Sequence, residues 1–287
     1  MKEKLSRINL TLAAVAVLVI ADIFVWSAVF SEKPSDSASV SFFDIGQGDS
    51  IFIEATNGNQ ILIDGGPDGS VLRELSAAMP FYDRFIDVVV ATHPDADHIG
   101  GLVDVVERYR IGAFIEPGVS SDTAFYQALK SAVADKKIPT FLARRGMSIN
   151  LGDGGSLAIL FPDRDVSGVE TNTASIVAKF QFGQNSVMLT GDSPQSIEEY
   201  LVSINGEKLA SDILKAGHHG SRTSSSESFV SAVNPQIAII SAGKDNRYGH
   251  PHSEVIDLFS GFGVETLNTA KEGTIGFALN GVSIIRK

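Results

Sequence analysis

Near the start of the chain, apolar positions do not alternate with polar ones at all. From Leu12 to Phe30 they run as LAAVAVLVIADIFVWSAVF, broken by one charge, Asp22. Extended back to Ile8, the segment makes about 34 Å of helix at roughly 1.5 Å per residue, enough to span bilayer hydrocarbon. Lys2, Lys4 and Arg7 precede it against Glu3 alone, which orients the N-terminus to the cytoplasm and the body outside. A single-pass membrane anchor over residues 8–30 is therefore expected. A cleavable leader competes with it, but the apolar run is long for one and no clean small-residue cleavage site follows. Asp22 is the costly position, about 2.5–3.5 kcal/mol on insertion scales at mid-membrane.

Residues 31–38, SEKPSDSA, are short and polar and read as a linker, so the organisation is an anchor and linker (1–37) followed by one domain (38–287). In that domain β-branched apolar runs end in Gly, Asp or His and alternate with helical patterns. Strands are expected at 39–45, 50–54, 60–64, 86–92, 111–116 and 156–161. A second series follows at 174–182, 186–190, 212–216, 236–241, 263–267 and 274–285. Helices are expected at 69–79, 99–109, 122–136, 194–204, 224–232 and 252–260. Runs such as VVVAT and AIIS are apolar throughout, which calls for sheets covered on both faces. Two sheets packed face to face with helices outside satisfy this. Ligands in such α/β folds collect on the loops where strands stop.

Composition changes the picture in two ways. The 287 residues carry a net charge of −11, which counts against binding polyanions by overall charge, and they contain no cysteine, which excludes disulfides and thiolate metal sites. Metal chemistry falls to histidine and carboxylate. All six histidines lie in three short clusters, His93-Pro-Asp95-Ala-Asp97-His98, His218-His219 and His250-Pro-His252, each at or soon after a strand-like run. A tight loop leaving a strand can aim His93 and Asp95 at one ion, and Asp97 and His98 on the next turn at another. Asp192, ending SVMLTGD, is placed to bridge two ions. Neutral imidazole and carboxylate suit Zn²⁺ or Mn²⁺. Two ions about 3.5–4 Å apart hold a hydroxide for in-line attack on phosphorus or a carbonyl carbon.

THPDADHIGG (92–101) resembles the H-x-H-x-D-H signature of metallo-β-lactamase-fold hydrolases, with Asp95 where the second His usually sits. FFDIGQGDS (42–50), ILIDGG (61–66), VMLTGD (187–192), LKAGHHGS (214–221) and NRYGHPH (246–252) extend the likeness. In order, over nearly all of residues 38–285, the set resembles the C-terminal hydrolase domain of ComEC-type DNA-uptake proteins. The resemblance implies a metallo-β-lactamase-like αββα four-layer sandwich behind one N-terminal transmembrane helix. It implies two divalent ions held by His93, Asp95, Asp97, His98, Asp192 and His218, with His219 the weaker ligand of its pair and free to meet substrate. Asp64 would orient the histidine loop, and the 46–49 turn, with Asp49, would support the same floor or simply be a hairpin turn. Asn172 stands roughly where the ComEC-like pattern carries Asn, and no His lies between His98 and His218. His250 would supply the missing nitrogen or give a proton to the leaving oxygen.

Around these motifs the local charge reverses. Lys215, Ser221 and Arg222 flank the paired histidines, and Lys244 and Arg247 precede His250. Lys215, Ser221, Arg222 and Arg247 are expected to meet substrate phosphate. The reading is a membrane-anchored phosphodiesterase or nuclease for single-stranded DNA, with a separate membrane channel as partner because only one spanning segment is expected. A hydrolase of small exocellular esters such as phosphorylcholine is the alternative, and a tethered binding protein with a degenerate site is the alternative of another class.

Overall fold

In the computed structural model, residues 2–31 and 36–287 are described, with side chains on the first helix described over 11–27. Contacts divide the chain into Met1–Ser35 and Asp36–Lys287. The first unit is one helix, α1 (Lys2–Ser31), on which Leu12, Leu18, Ile23 and Phe24 are exposed. Among the described residues no helix is long and apolar enough to cross a membrane. Of the expected span, the side chains of residues 8–10 and 28–30 lie outside those described.

The second unit begins with antiparallel hairpins, as the alternating pattern SVSFF and the glycine turns require. β1 (Ala38–Phe42), β2 (Ile51–Glu54) and β3 (Gln60–Ile63) pair in that order. β4 (Phe85–Val90), β5 (Arg110–Glu116) and β6 (Thr140–Leu142) then add in parallel. The helices α2 (Ser70–Ala78), α3 (Ala96–Ile99), α4 (Leu102–Arg108) and α5 (Ala124–Asp135) fall between these strands.

A second sheet takes over at β7 (Ser148–Gly152), β8 (Gly155–Phe161), β9 (Val177–Phe182) and β10 (Asn185–Leu189), all antiparallel. β11 (Ile213–Lys215), β12 (Ile237–Ile240) and β13 (Glu265–Asn268) extend it in parallel. Its helices are α6 (Gln195–Asn205), α7 (Glu227–Val233), α8 (Ser253–Gly261) and the short α9 (Thr269–Glu272). The chain then returns to the first sheet as the hairpin β14 (Ile275–Leu279) and β15 (Ile284–Arg286), where 274–285 had read as one strand.

Three apolar clusters follow from this order. One, with Phe42, Ile53, Ile61, Phe180 and Val187, fills the space between the sheets. Another packs Leu201, Phe229 and Phe259 of α6, α7 and α8 onto the second sheet. The last packs Val71, Leu75, Val105 and Leu129 of α2, α4 and α5 onto the first. Every residue of β10 is buried, and the continuous apolar run of β12 is buried except at Ile237. The helix expected at 99–109 is divided into α3 and α4, with Gly101 N–H donating to the Gly66 carbonyl and the Asp97 carbonyl accepting from Asp49 N–H instead of closing a helical turn. The carboxyl ends of β3, β4, β10 and β11 deliver the residues that matter next.

Candidate metal centre

Beyond β4 the chain passes Thr92 and His93 and enters α3 with Asp95 in extended conformation at its N-cap, its side chain unused for capping. Asp97 and His98 are thereby turned back toward His93. Asp192 follows β10 through Gly191, at φ 50°, and His218 and His219 follow β11. Both histidines adopt left-handed backbone, with φ 47° and 56°. Extended residues would send adjacent side chains to opposite sides. Two left-handed residues in a row instead bring both imidazoles to one carboxylate, at a conformational cost of order 1–3 kcal/mol each.

Asp192 is where the three stretches meet. Its Oδ2 lies 3.5 Å from Nε2 of His218, 3.5 Å from Nε2 of His219 and 3.8 Å from Nε2 of His93. Its Oδ1 lies 3.2 Å from Nε2 of His98. His219 Nε2 also approaches Asp97 Oδ2 at 3.4 Å and His98 Nε2 at 3.3 Å, and His93 Nε2 faces Asp95 Oδ2 at 3.9 Å.

On His98, His93 and His218 the opposite nitrogen is hydrogen-bonded, and on His219 it faces a carboxylate, so each Nε2 is left to point inward. His98 Nδ1 donates to Asp64 Oδ2 at 2.7 Å. Thr92 spends its hydroxyl proton on the same Asp64 oxygen at 2.6 Å, so toward His93 Nδ1, 3.0 Å away, it acts as acceptor. His219 Nδ1 faces Asp49 Oδ1 at 3.3 Å, and His218 Nδ1 meets Thr223 Oγ1 at 3.1 Å. Fixing one ring nitrogen sets the tautomer of the other, the usual preparation of a metal-binding imidazole.

Two buried atoms test whether divalent ions fit. His93 Nε2 and Asp192 Oδ1 have no hydrogen bond of proper geometry among the described residues, which costs about 1–3 kcal/mol for each. Imidazole nitrogen and carboxylate oxygen are the donor types that Zn²⁺ and Mn²⁺ take. Ligands bonded at about 2.0–2.2 Å lie roughly 3–4 Å from one another, and the donors here are 3.2–3.9 Å apart. The residues fit. Asp49, His98, Asp192 and His219 present one donor each within 4.8 Å of one another. Asp49, however, faces the Nδ1 side of His219 and is paired to Lys215 Nζ at 2.7 Å, which marks it as an outer carboxylate.

The family model of the metallo-beta-lactamase superfamily matches residues 43–244. The chain belongs to that superfamily. This metallo-β-lactamase chain is 29% identical to ComE operon protein 3 of Bacillus subtilis (strain 168) over 294 residues, 96% of this chain and 37% of that protein. It is 30% identical to competence protein ComA of Neisseria gonorrhoeae over 250 residues, 86% of this chain and 33% of that protein. It thus spans about a third of the length of these two relatives, both competence proteins of the ComEC type. Igni18, a metallo hydrolase from Ignicoccus hospitalis KIN4/I, shares the fold: TM-score 0.57 at 15% identity, covering 83% of this chain and 98% of that one.

The expected ligands of this metallo-β-lactamase domain are together. Of the paired histidines, His219 is buried and also meets Asp97 and His98, and His218 is part-exposed; both lie 3.5 Å from Asp192 and line the pocket. The expected phosphate contacts need correction. Lys215 is fully buried under the site and held by Asp49. Ser221 is buried with its hydroxyl on Thr223, and Arg222 turns to His252 and Glu254. Arg247 lies on Tyr248 at the rim. The pocket, about 160 Å³, is lined by Gln47, Asp95, Asp97, Asp192, His218, His219, Tyr248 and His250. Asn172 keeps a buried, unpartnered Oδ1, its backbone N–H taken by Glu170. Thr92 was not singled out in the sequence and Gln47 entered only as part of the 46–49 turn, since neither residue type signals metal chemistry.

Burial penalises charge throughout this metallo-β-lactamase site, and the carboxylates answer it. Against burial, Asp192 and Asp64 hold His98 well above its ordinary range, and Asp192 and Asp49 raise His219 to about 9. His93, pressed by burial and by His98, falls to about 4. Despite burial, the His219 hydrogen bond and the His98 charge lower Asp97 to about 2. A pH dependence follows for metal-stripped protein. Stability due to His219 is complete below its ordinary value of 6.5 and is lost as pH rises toward 9, because the unfolded imidazole deprotonates first. Urea unfolding of stripped protein should show a loss of roughly 3 kcal/mol over that interval. Metal-loaded protein should not show it, because ligation has already removed the protons. A stripped protein that gains stability over the interval would contradict this assignment.

Proposed function

We propose that this chain is a membrane-anchored, metal-dependent phosphodiesterase whose domain acts on DNA outside the cytoplasmic membrane. The observation that carries the reading is the convergence of four imidazole Nε2 atoms on Asp192. His93, Asp95 and Asp192, joined by His218, would hold one Zn²⁺ or Mn²⁺; Asp97, His98, His219 and Asp192 would hold the other. Bound there, the ions would polarise a phosphoryl oxygen and make water nucleophilic at neutral pH.

The chain's own groups supply the positioning. Asp64 holds His98 directly and His93 through Thr92, so one carboxylate orients ligands for both ions. Asp192 draws the β10 and β11 ends onto the α3 turn. His250 lines the pocket, and burial followed by the charges of His218, His219 and His252 lowers it to about 4. In the metal-loaded protein either His250 or a water molecule would give the leaving oxygen its proton.

Several features support anchoring and DNA as substrate. The Leu12–Phe30 run and the basic residues before it suit a single-pass anchor with the domain outside. The alignment with ComE operon protein 3 covers 96% of this chain and so runs into α1. A membrane channel is the partner that would deliver one strand. One observation favours the smaller-ester alternative: the pocket is lined by three carboxylates, and the expected cations turn elsewhere. Incubation of the purified protein with Mn²⁺ separates the readings. Cleavage of single-stranded DNA supports the nuclease. Cleavage of bis(p-nitrophenyl) phosphate alone supports the small-ester hydrolase, and cleavage of neither reduces the chain to a binding protein.

A further inference from the structure

We propose that Gln47 is a substrate-binding residue, its side-chain amide Nε2 donating to a non-bridging oxygen of a tetrahedral phosphoryl anion in the pocket. The proposal rests on the phosphodiesterase reading and extends it to a residue outside the ligand set.

Gln47 is held rigidly from both sides. Gly48, at φ 126°, packs so closely on the α3 turn that a Cβ there would sit 2.0 Å from the Asp97 carbonyl oxygen, and Asp49 N donates to that oxygen at 3.3 Å. On the other side, a Cβ on Gly243 would lie 3.0 Å from Gln47 N. The turn is thus clamped between the metal-site loop and the loop after β12.

The side chain is oriented by an unambiguous donor. Gly243 N–H can only donate, and it meets Gln47 Oε1 at 3.2 Å. The oxygen end is therefore fixed there, and the end left over carries the two N–H donors. That Nε2 is buried and has no hydrogen-bond partner among the described residues. Gln47 nevertheless lines the same pocket as Asp95, Asp97 and Asp192, none of which it bonds. Of the other lining groups, the carboxylates only accept, while Tyr248, whose hydroxyl accepts from Arg247, is exposed rather than buried. A donor kept dry at the mouth of an acidic site is costly unless the ligand brings an acceptor. A phosphoryl group brings negatively charged oxygens, for which a fixed amide donor is worth most.

The test uses full-length, metal-loaded protein and inorganic phosphate as the probe, with affinity read by titration calorimetry. Gln47→Glu keeps an acceptor for Gly243 N–H and deletes the donor. Gln47→Met removes both without adding charge. Both variants should bind phosphate at least about 10-fold more weakly than the parent, with metal content and melting temperature unchanged. Affinity within about twofold of the parent in either variant overturns the proposal. So does a parent that binds no phosphate, or loss of metal in both variants, which would make Gln47 structural. Parallel assays on bis(p-nitrophenyl) phosphate keep the two readings apart. Gln47-dependent phosphate binding without cleavage rejects the phosphodiesterase and retains the anion donor. Cleavage with Gln47-independent binding rejects the donor alone.

Discussion

Asp192→Ala removes hydrolysis and lowers bound metal below the parent's content by at least one equivalent. The carboxylate is the common neighbour of His93, His98, His218 and His219, with every contact at 3.8 Å or less. Alanine leaves the imidazoles without the charge that draws them together, and neither proposed ion keeps its full set of ligands. A loss of at least about 10³-fold in rate corresponds to roughly 4 kcal/mol of transition-state stabilisation, within reach of a bridging ligand. Elemental analysis beside phosphodiester turnover checks both halves. An alanine variant with parental metal content and turnover would remove Asp192 from the site.

Lys215→Met costs about 3–5 kcal/mol of folding stability, because it strands the buried Asp49 carboxylate without its partner at 2.7 Å. Adding Asp49→Leu to the same chain should recover much of that loss, since no charge then stays uncompensated. Metal affinity should not recover with it. Asp49 is also the group facing His219 Nδ1 at 3.3 Å, and losing such an orienting carboxylate weakens metal binding by about 10–100-fold. Urea denaturation and chelator competition on the parent and the two variants read the two effects separately. Had Lys215 been a phosphate contact, the single variant would keep its stability and only KM would rise.

The parts of this molecule legible in sequence are those written in neighbouring residues. His93, Asp95, Asp97 and His98 lie within six positions, so a strand end and one helical turn suffice to gather them. Asp64 and Asp192 were legible for the same reason, each ending an apolar run that had to be a buried strand. Short strands with little burial were not. β6 is exposed along its length and is a strand only because β5 pairs with it, and the mixed SINLG of β7 needs β8 in the same way.

The sequence alone thus determined the α/β layers, the chemistry of the donor set and the loops that carry it, because periodicity and residue type act locally. Tertiary structure decided that both adjacent histidines reach Asp192, since that depends on left-handed backbone at both, with His218 N–H held by the Gly191 carbonyl. It also decided that Lys215 is a buried counter-ion and that Gln47 offers an amide to the pocket. Charge and hydrogen-bonding capacity are visible in a residue's name, whereas the partner that uses them arrives from far along the chain and is fixed only by packing.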